Sequence, residues 1–150
     1  VGAGVTGLYA DPSVDALGRE EAERIMAAVG EVLWVEEEGK IDAITALSGS
    51  GPAYVFAFLE ALQAAGEALG FDAATARRLA QATAARAVRL AQESEEPLSR
   101  LRENVTSKGG TTEAALARLT ERGFAETVRE AVFAAHARSQ ELARQLGEAP

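Results

Sequence analysis

The feature that most constrains the fold is a change of pattern near residue 40. Before it, a strand-like segment (1–9), a helical segment (17–29) and a compact apolar run (32–35) follow one another. This is the order of a parallel α/β unit. After it, every periodic segment has the spacing of an amphipathic helix. Because two strands alone do not make a stable sheet, we predict that residues 1–38 end a larger α/β domain and that residues 39–150 form a helical one.

Local signals predict where the elements begin and end. Asp15 or a neighbour starts the first helix, and Gly30 ends it as a C-terminal glycine. We expect Trp34 in the core of its strand. Gly70 stops a later helix, and Asp72 caps the next one. The predicted helices beyond residue 40 span 41–47, 52–69, 72–93, a short segment after 97, 112–122 and 124–146.

One helix carries small side chains along a single face. These residues are Ala76, Ala80, Thr83, Ala87 and Ala91. Small side chains at this spacing let a partner helix approach closely, either within the chain or from a second subunit. The predicted helices together carry more apolar surface than a single packed layer of helices could bury. We therefore expect an obligate homodimer.

Composition excludes several classes of function. The chain of 150 residues has no cysteine and a single histidine, His136, so we expect no metal site. A formal charge of −8 disfavours nucleic acid as a partner. No apolar run is long enough to span a membrane. Met26 is the only methionine, so we expect a piece of a longer protein; no secretory signal is visible, which favours a cytoplasmic location.

The first residues contain Gly2, Gly4 and Gly7 in the spacing G-x-G-x-x-G. In a dinucleotide site these glycines follow a strand and open a helix. Here only one residue precedes the first glycine, and the following Asp11-Pro12 pair indicates a turn. We interpret the match as incidental and predict a strand instead.

Two loops carry the remaining information. The first, Ser48–Pro52, reads as a tight turn between helices, with proline at an ordinary first-turn position. The second, Glu103–Glu113, combines Gly109-Gly110 with four hydroxyls and leads into a helix N-terminus. That combination suits a small carboxylate or phosphate. It is equally typical of a flexible linker in which Thr111 or Thr112 is an ordinary N-cap.

Together the two loops resemble a known family. ALSGSGPAYVF followed by ENVTSKGGTTEAAL is similar to the paired signature of pyrroline-5-carboxylate reductases. The resemblance implies a mainly α fold, with a C-terminal helical dimerisation domain like that of 6-phosphogluconate dehydrogenase. A strand–helix–strand remnant of a Rossmann domain precedes it. Residues 1–38 would then end the dinucleotide-binding domain, and residues 39–150 would be the dimerisation and substrate-binding domain.

The implied reaction is the reduction of 1-pyrroline-5-carboxylate to L-proline by NADPH or NADH, the cofactor being bound mainly by a domain upstream of this chain. The piece alone is expected to be inactive. A homodimer, or a ring of such dimers, is the implied assembly. The family often has proline where this chain has Lys108, so we expect a less rigid loop. The implied catalytic residue is Thr112, placed near the imine nitrogen. The implied substrate-binding residues are Ser107, Gly109, Gly110, Thr111 and Glu95, and the implied cofactor-binding residues are Ser50, Gly51 and Pro52.

Two other functions compete with this interpretation. A non-catalytic oligomerisation or small-anion-binding module could share the fold, although a pure oligomerisation module has no use for a Gly-Gly anion loop. A related reductase acting on a β-hydroxy acid would place a lysine on a helix as proton donor. The only lysines, Lys40 and Lys108, lie outside the long predicted helices, which disfavours that reaction.

Overall fold

The computed structural model describes residues 3–147, so Gly2 of the glycine motif lies outside the described residues. Within this range the chain is mainly helical and contains one short parallel sheet. Its elements are β1 (Gly4–Leu8), α1 (Ala16–Ala27), β2 (Gly30–Trp34), α2 (Lys40–Ile44), a π-turn (Thr45–Gly49), α3 (Gly51–Ala68), α4 (Ala73–Gln92), α5 (Leu98–Asn104), α6 (Thr111–Glu121) and α7 (Phe124–Gly147).

The chain divides into two compact units. The first runs to Pro52 and resumes at Arg129, and the second is Ala53–Val128. These two units are defined by contacts within each of them. The boundary between residues 38 and 39 was instead predicted from the change of sequence pattern, so the two divisions do not test each other. That boundary stays a prediction.

The first unit is built on the predicted strand–helix–strand. β1 and β2 pair in parallel, with Gly4 opposite Gly30 and Leu8 opposite Trp34. Asp15 caps α1, accepting a hydrogen bond of 2.8 Å from the Gly18 N–H. The predicted parallel α/β unit is confirmed.

Gly30 has a different role from the predicted one. α1 ends with Ala28 as its C-cap, and Gly30 is already the first residue of β2. Its φ is not positive, so it does not terminate the helix. A Cβ on Gly30 would collide with the backbone of Gly4. The sequence prediction was wrong because the glycine is needed for close pairing of the two strands.

Trp34 is half-buried rather than in a core. Its indole N–H donates to the Glu23 carboxylate at 2.9 Å, and the Arg19 guanidinium lies 5.6 Å from the ring centroid. Both partners belong to α1. The indole thus fixes α1 on the sheet through its polar edge and its face, and a fully buried position would have excluded these charged partners.

The short helix α2 packs on β1 at Gly7. A Cβ there would lie 2.7 Å from Ile44 Cδ1 and 3.1 Å from Ile41 Cδ1, so the absent side chain makes room for both isoleucines. On the same helix, the Asp42 carboxylate accepts a hydrogen bond of 2.6 Å from the Ser139 hydroxyl of α7. α2 is therefore tied to both the sheet and the last helix.

The second unit holds the small-residue face. Ala76 and Ala80 are buried, and a Cβ on Gly66 of α3 would lie 3.0 Å from the Ala76 Cβ. The predicted close approach is thus made within the chain at this end of α4. Farther along the face, Thr83 and Ala87 are exposed.

The predicted stop and start between α3 and α4 are confirmed. Gly70 adopts a positive φ of 98°, and Asp72 accepts a hydrogen bond of 2.9 Å from the Thr75 N–H. That hydrogen bond lowers the pKa of Asp72 below its ordinary value. The cap therefore loses strength as the pH falls through the lowered pKa.

We predict that Gly30→Ala disrupts the sheet, because the added methyl group meets the Gly4 backbone. The cost should be about 1–3 kcal/mol, the usual range for overpacking. Trp34 is the only tryptophan and belongs to β2, so the fluorescence-detected urea transition reports on this sheet. Gly39→Ala is the matched control, since a Cβ there meets nothing within 4 Å. An equal shift for both variants would contradict the prediction.

Candidate functional site

The second loop forms a tight turn from Ser107 to Gly110. The Gly110 N–H donates to the Ser107 carbonyl at 3.0 Å, and Gly109 has a φ of 71°. A positive φ at the third position, with no positive φ at Lys108, defines a type II turn. The Gly-Gly pair is thus used as the sequence indicated, with Gly109 supplying the left-handed conformation.

Gly110 is needed for a different reason. A Cβ there would lie 2.6 Å from the Ser107 hydroxyl oxygen and 3.0 Å from its carbonyl oxygen. The backbone of Gly110 therefore packs directly against Ser107. Any other residue at this position would force the turn open.

Gly110 is also the N-cap of α6. Its carbonyl accepts the Ala114 N–H at 3.2 Å, which makes Thr111 and Thr112 the first two residues of the helix. The alternative in which one of these threonines is the N-cap is therefore wrong, because the helix begins one residue earlier than that alternative requires. Thr111 is exposed and Thr112 is half-buried.

A residue that the sequence analysis passed over completes the loop. Glu113, three residues after the N-cap, accepts the Gly109 N–H at 2.8 Å through its carboxylate. The signal was present, since this is the glutamate position of a capping box, although here the carboxylate binds the N–H of Gly109, one residue before the N-cap. The pattern was hidden because glycine replaces the usual serine or threonine at the cap.

These contacts separate the loop amides into two groups. The N–H groups of Gly109 and Gly110 bond within the loop. Across the described residues, the N–H groups of Thr111, Thr112 and Glu113 have no protein acceptor, as at any helix start. The hydroxyls of both threonines likewise make no hydrogen bond to the described part of the protein. The positive end of α6 and these groups together suit a small anion.

The first loop is not the tight turn that its sequence suggests. Residues 45–49 form a single π-turn, closed by the Ser50 N–H donating to the Thr45 carbonyl at 2.9 Å. α3 then begins at Gly51. The prediction failed because glycine and serine also fit a widened helical turn, in which each N–H bonds five residues back.

The three residues assigned to the cofactor lie at this junction. Ser50 and Gly51 are half-buried and Pro52 is exposed. A Cβ on Gly51 would meet nothing within 4 Å, so the chain presents open backbone surface here. π-turns recur at functional sites. The two loops belong to different units of the chain.

Glu95 is not brought to the second loop by any hydrogen bond among residues 3–147. It is exposed in the segment between α4 and α5. Its neighbour Glu96 does have a partner, accepting from the Asn104 amide at 2.9 Å. The assignment of Glu95 stays a prediction.

A separate groove of about 550 Å³ lies in the first unit. Half-buried His136 lines it beside Phe133 and Leu47, whose exposed fractions are 59% and 66%. Lys40 also lines it. Among residues 3–147, no three histidine, aspartate or glutamate side chains gather as metal ligands would.

None of the helices among residues 3–147 combines the length and the apolar composition needed to cross a bilayer. The fold and the candidate site define a mainly helical domain that follows an α/β unit and carries a Gly-Gly turn at a helix N-terminus. A family model described as pyrroline-5-carboxylate reductase dimerisation matches residues 38–142. The chain belongs to this family.

Similar proteins carry the same family name. The pyrroline-5-carboxylate reductase of Pseudomonas aeruginosa is 48% identical over 145 residues, covering 97% of this chain and 53% of that protein. A solved pyrroline-5-carboxylate reductase from Coxiella burnetii superposes with a TM-score of 0.88 at 48% identity, covering 94% of this chain and 52% of that one. The pyrroline carboxylate reductase of Plasmodium falciparum, solved with NADP bound, superposes with a TM-score of 0.86 at 31% identity. The match covers 93% of this chain and 53% of that one. The chain spans about half the length of the curated relatives it matches.

We predict that Gly109→Val destabilises the protein more than Gly109→Asn, because asparagine tolerates a positive φ and a β-branched residue does not. The loss for valine should be about 1–2 kcal/mol, measured by urea denaturation. Lys108→Val is the matched control, since it places the same side chain on the preceding exposed residue without a positive φ. Equal losses from the two valines would contradict the need for a left-handed residue.

Proposed function

We propose that this chain is the substrate-binding and dimer-forming part of a pyrroline-5-carboxylate reductase. The reaction is the reduction of the C=N bond of 1-pyrroline-5-carboxylate by NAD(P)H, giving L-proline. The observation that carries the proposal is the start of α6, which lies inside the family match and has three amides and two hydroxyls without a hydrogen-bond partner among residues 3–147. We propose a cytoplasmic location for the reaction.

The start of α6 is suited to hold the substrate carboxylate. The amides of Thr111 and Thr112 face outward from the helix end, where the helix dipole also favours an anion. Gly109 and Gly110 act by shaping the turn, since their own N–H groups are already used. Ser107 supports the same turn through its carbonyl oxygen.

Thr112 is proposed to meet the ring nitrogen of the imine. A threonine hydroxyl both donates and accepts a hydrogen bond, so it can orient the ring and pass a proton to the nitrogen. Its ordinary acidity is too weak for a general acid tuned to neutral pH. Its contribution is therefore one of placement.

The cofactor is proposed to be NADPH or NADH, held mainly by a nucleotide-binding domain of which β1, α1 and β2 form the end. When bound, it supplies the hydride. The open backbone at Gly51 fits a flat ring approaching Ser50, Gly51 and Pro52, because no side chain of the described residues lies where a Cβ on Gly51 would point. Glu95 is proposed as an outer substrate contact.

Activity is best tested in an assembled enzyme, defined as this chain preceded by the N-terminal half of the P. aeruginosa relative. We predict that it reduces 1-pyrroline-5-carboxylate and that Thr112→Ala lowers kcat/KM about 100-fold, as expected for the loss of one positioned hydroxyl. NADPH consumption measures the rate. Thr120→Ala is the matched control, because Thr120 lies on the same helix at its other end.

A folded assembled enzyme that binds NADPH but does not reduce the imine would contradict the proposed reaction and favour the non-catalytic module. An assembled enzyme that acts on a β-hydroxy acid instead would favour the related reductase that was considered in the sequence analysis. That reaction is disfavoured by the lysines, since Lys40 is the first residue of the five-residue α2 and Lys108 lies in the turn.

We propose that the working form is at least a homodimer, with a ring of dimers as the larger assembly. The chain has an accessible surface of 11676 Å², whereas a compact monomer of 15.7 kDa exposes about 7300 Å². Among residues 3–147, the buried apolar residues are only Ala46, Ala76 and Ala80. Large side chains such as Phe56 and Leu79 remain 63% and 47% exposed. Pairing with a second copy would remove these exposed apolar faces from water.

We predict that sedimentation equilibrium of the 150-residue chain at low micromolar concentration gives at least twice the monomer mass. Phe56→Asp should weaken association, because a carboxylate would enter a desolvated interface. Phe56→Leu is the control that keeps an apolar side chain. A stable monomer for the unaltered chain would contradict the prediction.

A further inference from the structure

Glu113 forms a hydrogen bond with the turn that precedes its own helix. The carboxylate accepts the Gly109 N–H at 2.8 Å, four residues back along the chain. The Gly109 N–H is the only backbone donor of the Ser107–Gly110 turn that a side chain of the described residues binds. Glu113 thus connects the turn to the first turn of α6.

Two hydrogen bonds hold the turn in its observed form. One is internal, from Gly110 to Ser107, and the other is the Glu113 contact. Lys108 contributes neither, since its side chain is exposed and its N–H makes no hydrogen bond to the described part of the chain. Removing the Glu113 carboxylate would leave a left-handed glycine held by a single hydrogen bond.

Electrostatics alone would disfavour a glutamate here. Its negative charge lies in the first turn of the helix, beside the amides proposed to bind an anion. As a through-space charge it would repel a carboxylate. As a fixed acceptor it would keep the Gly109 N–H occupied and the helix start rigid. Charge repulsion would lower the affinity for the substrate carboxylate, whereas a fixed turn would raise it. An experiment can therefore separate the two effects.

We propose that Glu113 is a positioning residue for the substrate carboxylate. Its own carboxylate binds the Gly109 N–H, which locks the type II turn and leaves the Thr111 and Thr112 amides pointing at the substrate. In this proposal Glu113 acts through the turn and not by contact with the reacting atoms or the cofactor. The inference rests on the proposed function for the identity of the anion, whereas the locking of the turn is independent of it.

The kinetic test compares Glu113→Ala with Glu113→Gln in the assembled enzyme. The glutamine amide oxygen can still accept the Gly109 N–H, whereas alanine cannot. We expect Glu113→Ala to raise KM for 1-pyrroline-5-carboxylate about fivefold, the factor for one lost capping hydrogen bond, with kcat changed less. Glu113→Gln should stay near the unaltered KM. Glu121→Ala, a charge loss at the far end of the same helix, is the matched control.

A second variant tests the mechanism by rescue. Lys108 occupies the second position of a type II turn, where proline is favoured. Lys108→Pro should therefore stiffen the turn by another route and reverse most of the rise in KM caused by Glu113→Ala. A KM that falls in both Glu113 variants would overturn the proposal, because charge repulsion would then dominate. A KM unchanged in Glu113→Ala would overturn it as well.

A measurement without catalysis separates this inference from the proposed function. In the 150-residue chain, amide hydrogen exchange at Gly109 and Gly110 should accelerate about fivefold in Glu113→Ala and be slowed again by Lys108→Pro. Accelerated exchange together with an assembled enzyme inert toward the imine would reject the proposed function and keep the positioning role. Unchanged exchange would reject the positioning role whatever the activity.

Discussion

The close approach of α3 and α4 depends on side chains no larger than a methyl group. Gly66 and Ala76 bring α3 and α4 together, and the residues buried among 3–147 are alanines. Contacts of this kind fix helix spacing closely but remove little apolar surface from water. The larger aliphatic and aromatic side chains are left on the outer faces. A chain packed in this way leaves much apolar side-chain surface exposed, which agrees with its membership of a dimerisation family.

Much of the fold was predictable because its boundaries rest on local chemistry. Asp15, Asp72 and Gly70 act within a few residues of their own positions, so their sequence neighbours suffice to identify them. Gly30 and Trp34 were assigned wrongly because their roles come from other elements. The glycine at position 30 faces Gly4 on the paired strand, and the indole meets charged side chains of α1. Neither partner can be read from adjacent residues.

The residue types of the candidate site were predictable from the sequence, but the hydrogen bonds among them were not. Gly-Gly followed by two threonines indicated a positive φ and a helix start, and the structure has both features; that this helix start binds an anion stays a prediction. The sequence could not tell which amides the loop uses for itself. That division depends in part on Glu113, whose carboxylate accepts the Gly109 N–H, while the Ser107 carbonyl accepts the Gly110 N–H. Side-chain hydrogen bonds that span a turn are decided by three-dimensional geometry, which composition does not contain.

Because residues 45–49 form a π-turn, the number of residues in this segment affects the backbone at Ser50 and Gly51. The π-turn contains one residue more than an α-helical path between the same flanking helices would need. The widened turn absorbs that residue locally, so the chain before and after it keeps the register of a continuous helix. Deleting the residue would close the turn to ordinary α-helical hydrogen bonding and remove the widening directly before Ser50 and Gly51, while α2 stayed anchored by Gly7 and Ser139. A single deletion in this segment is therefore expected to alter the backbone at Ser50 and Gly51 more than a substitution does.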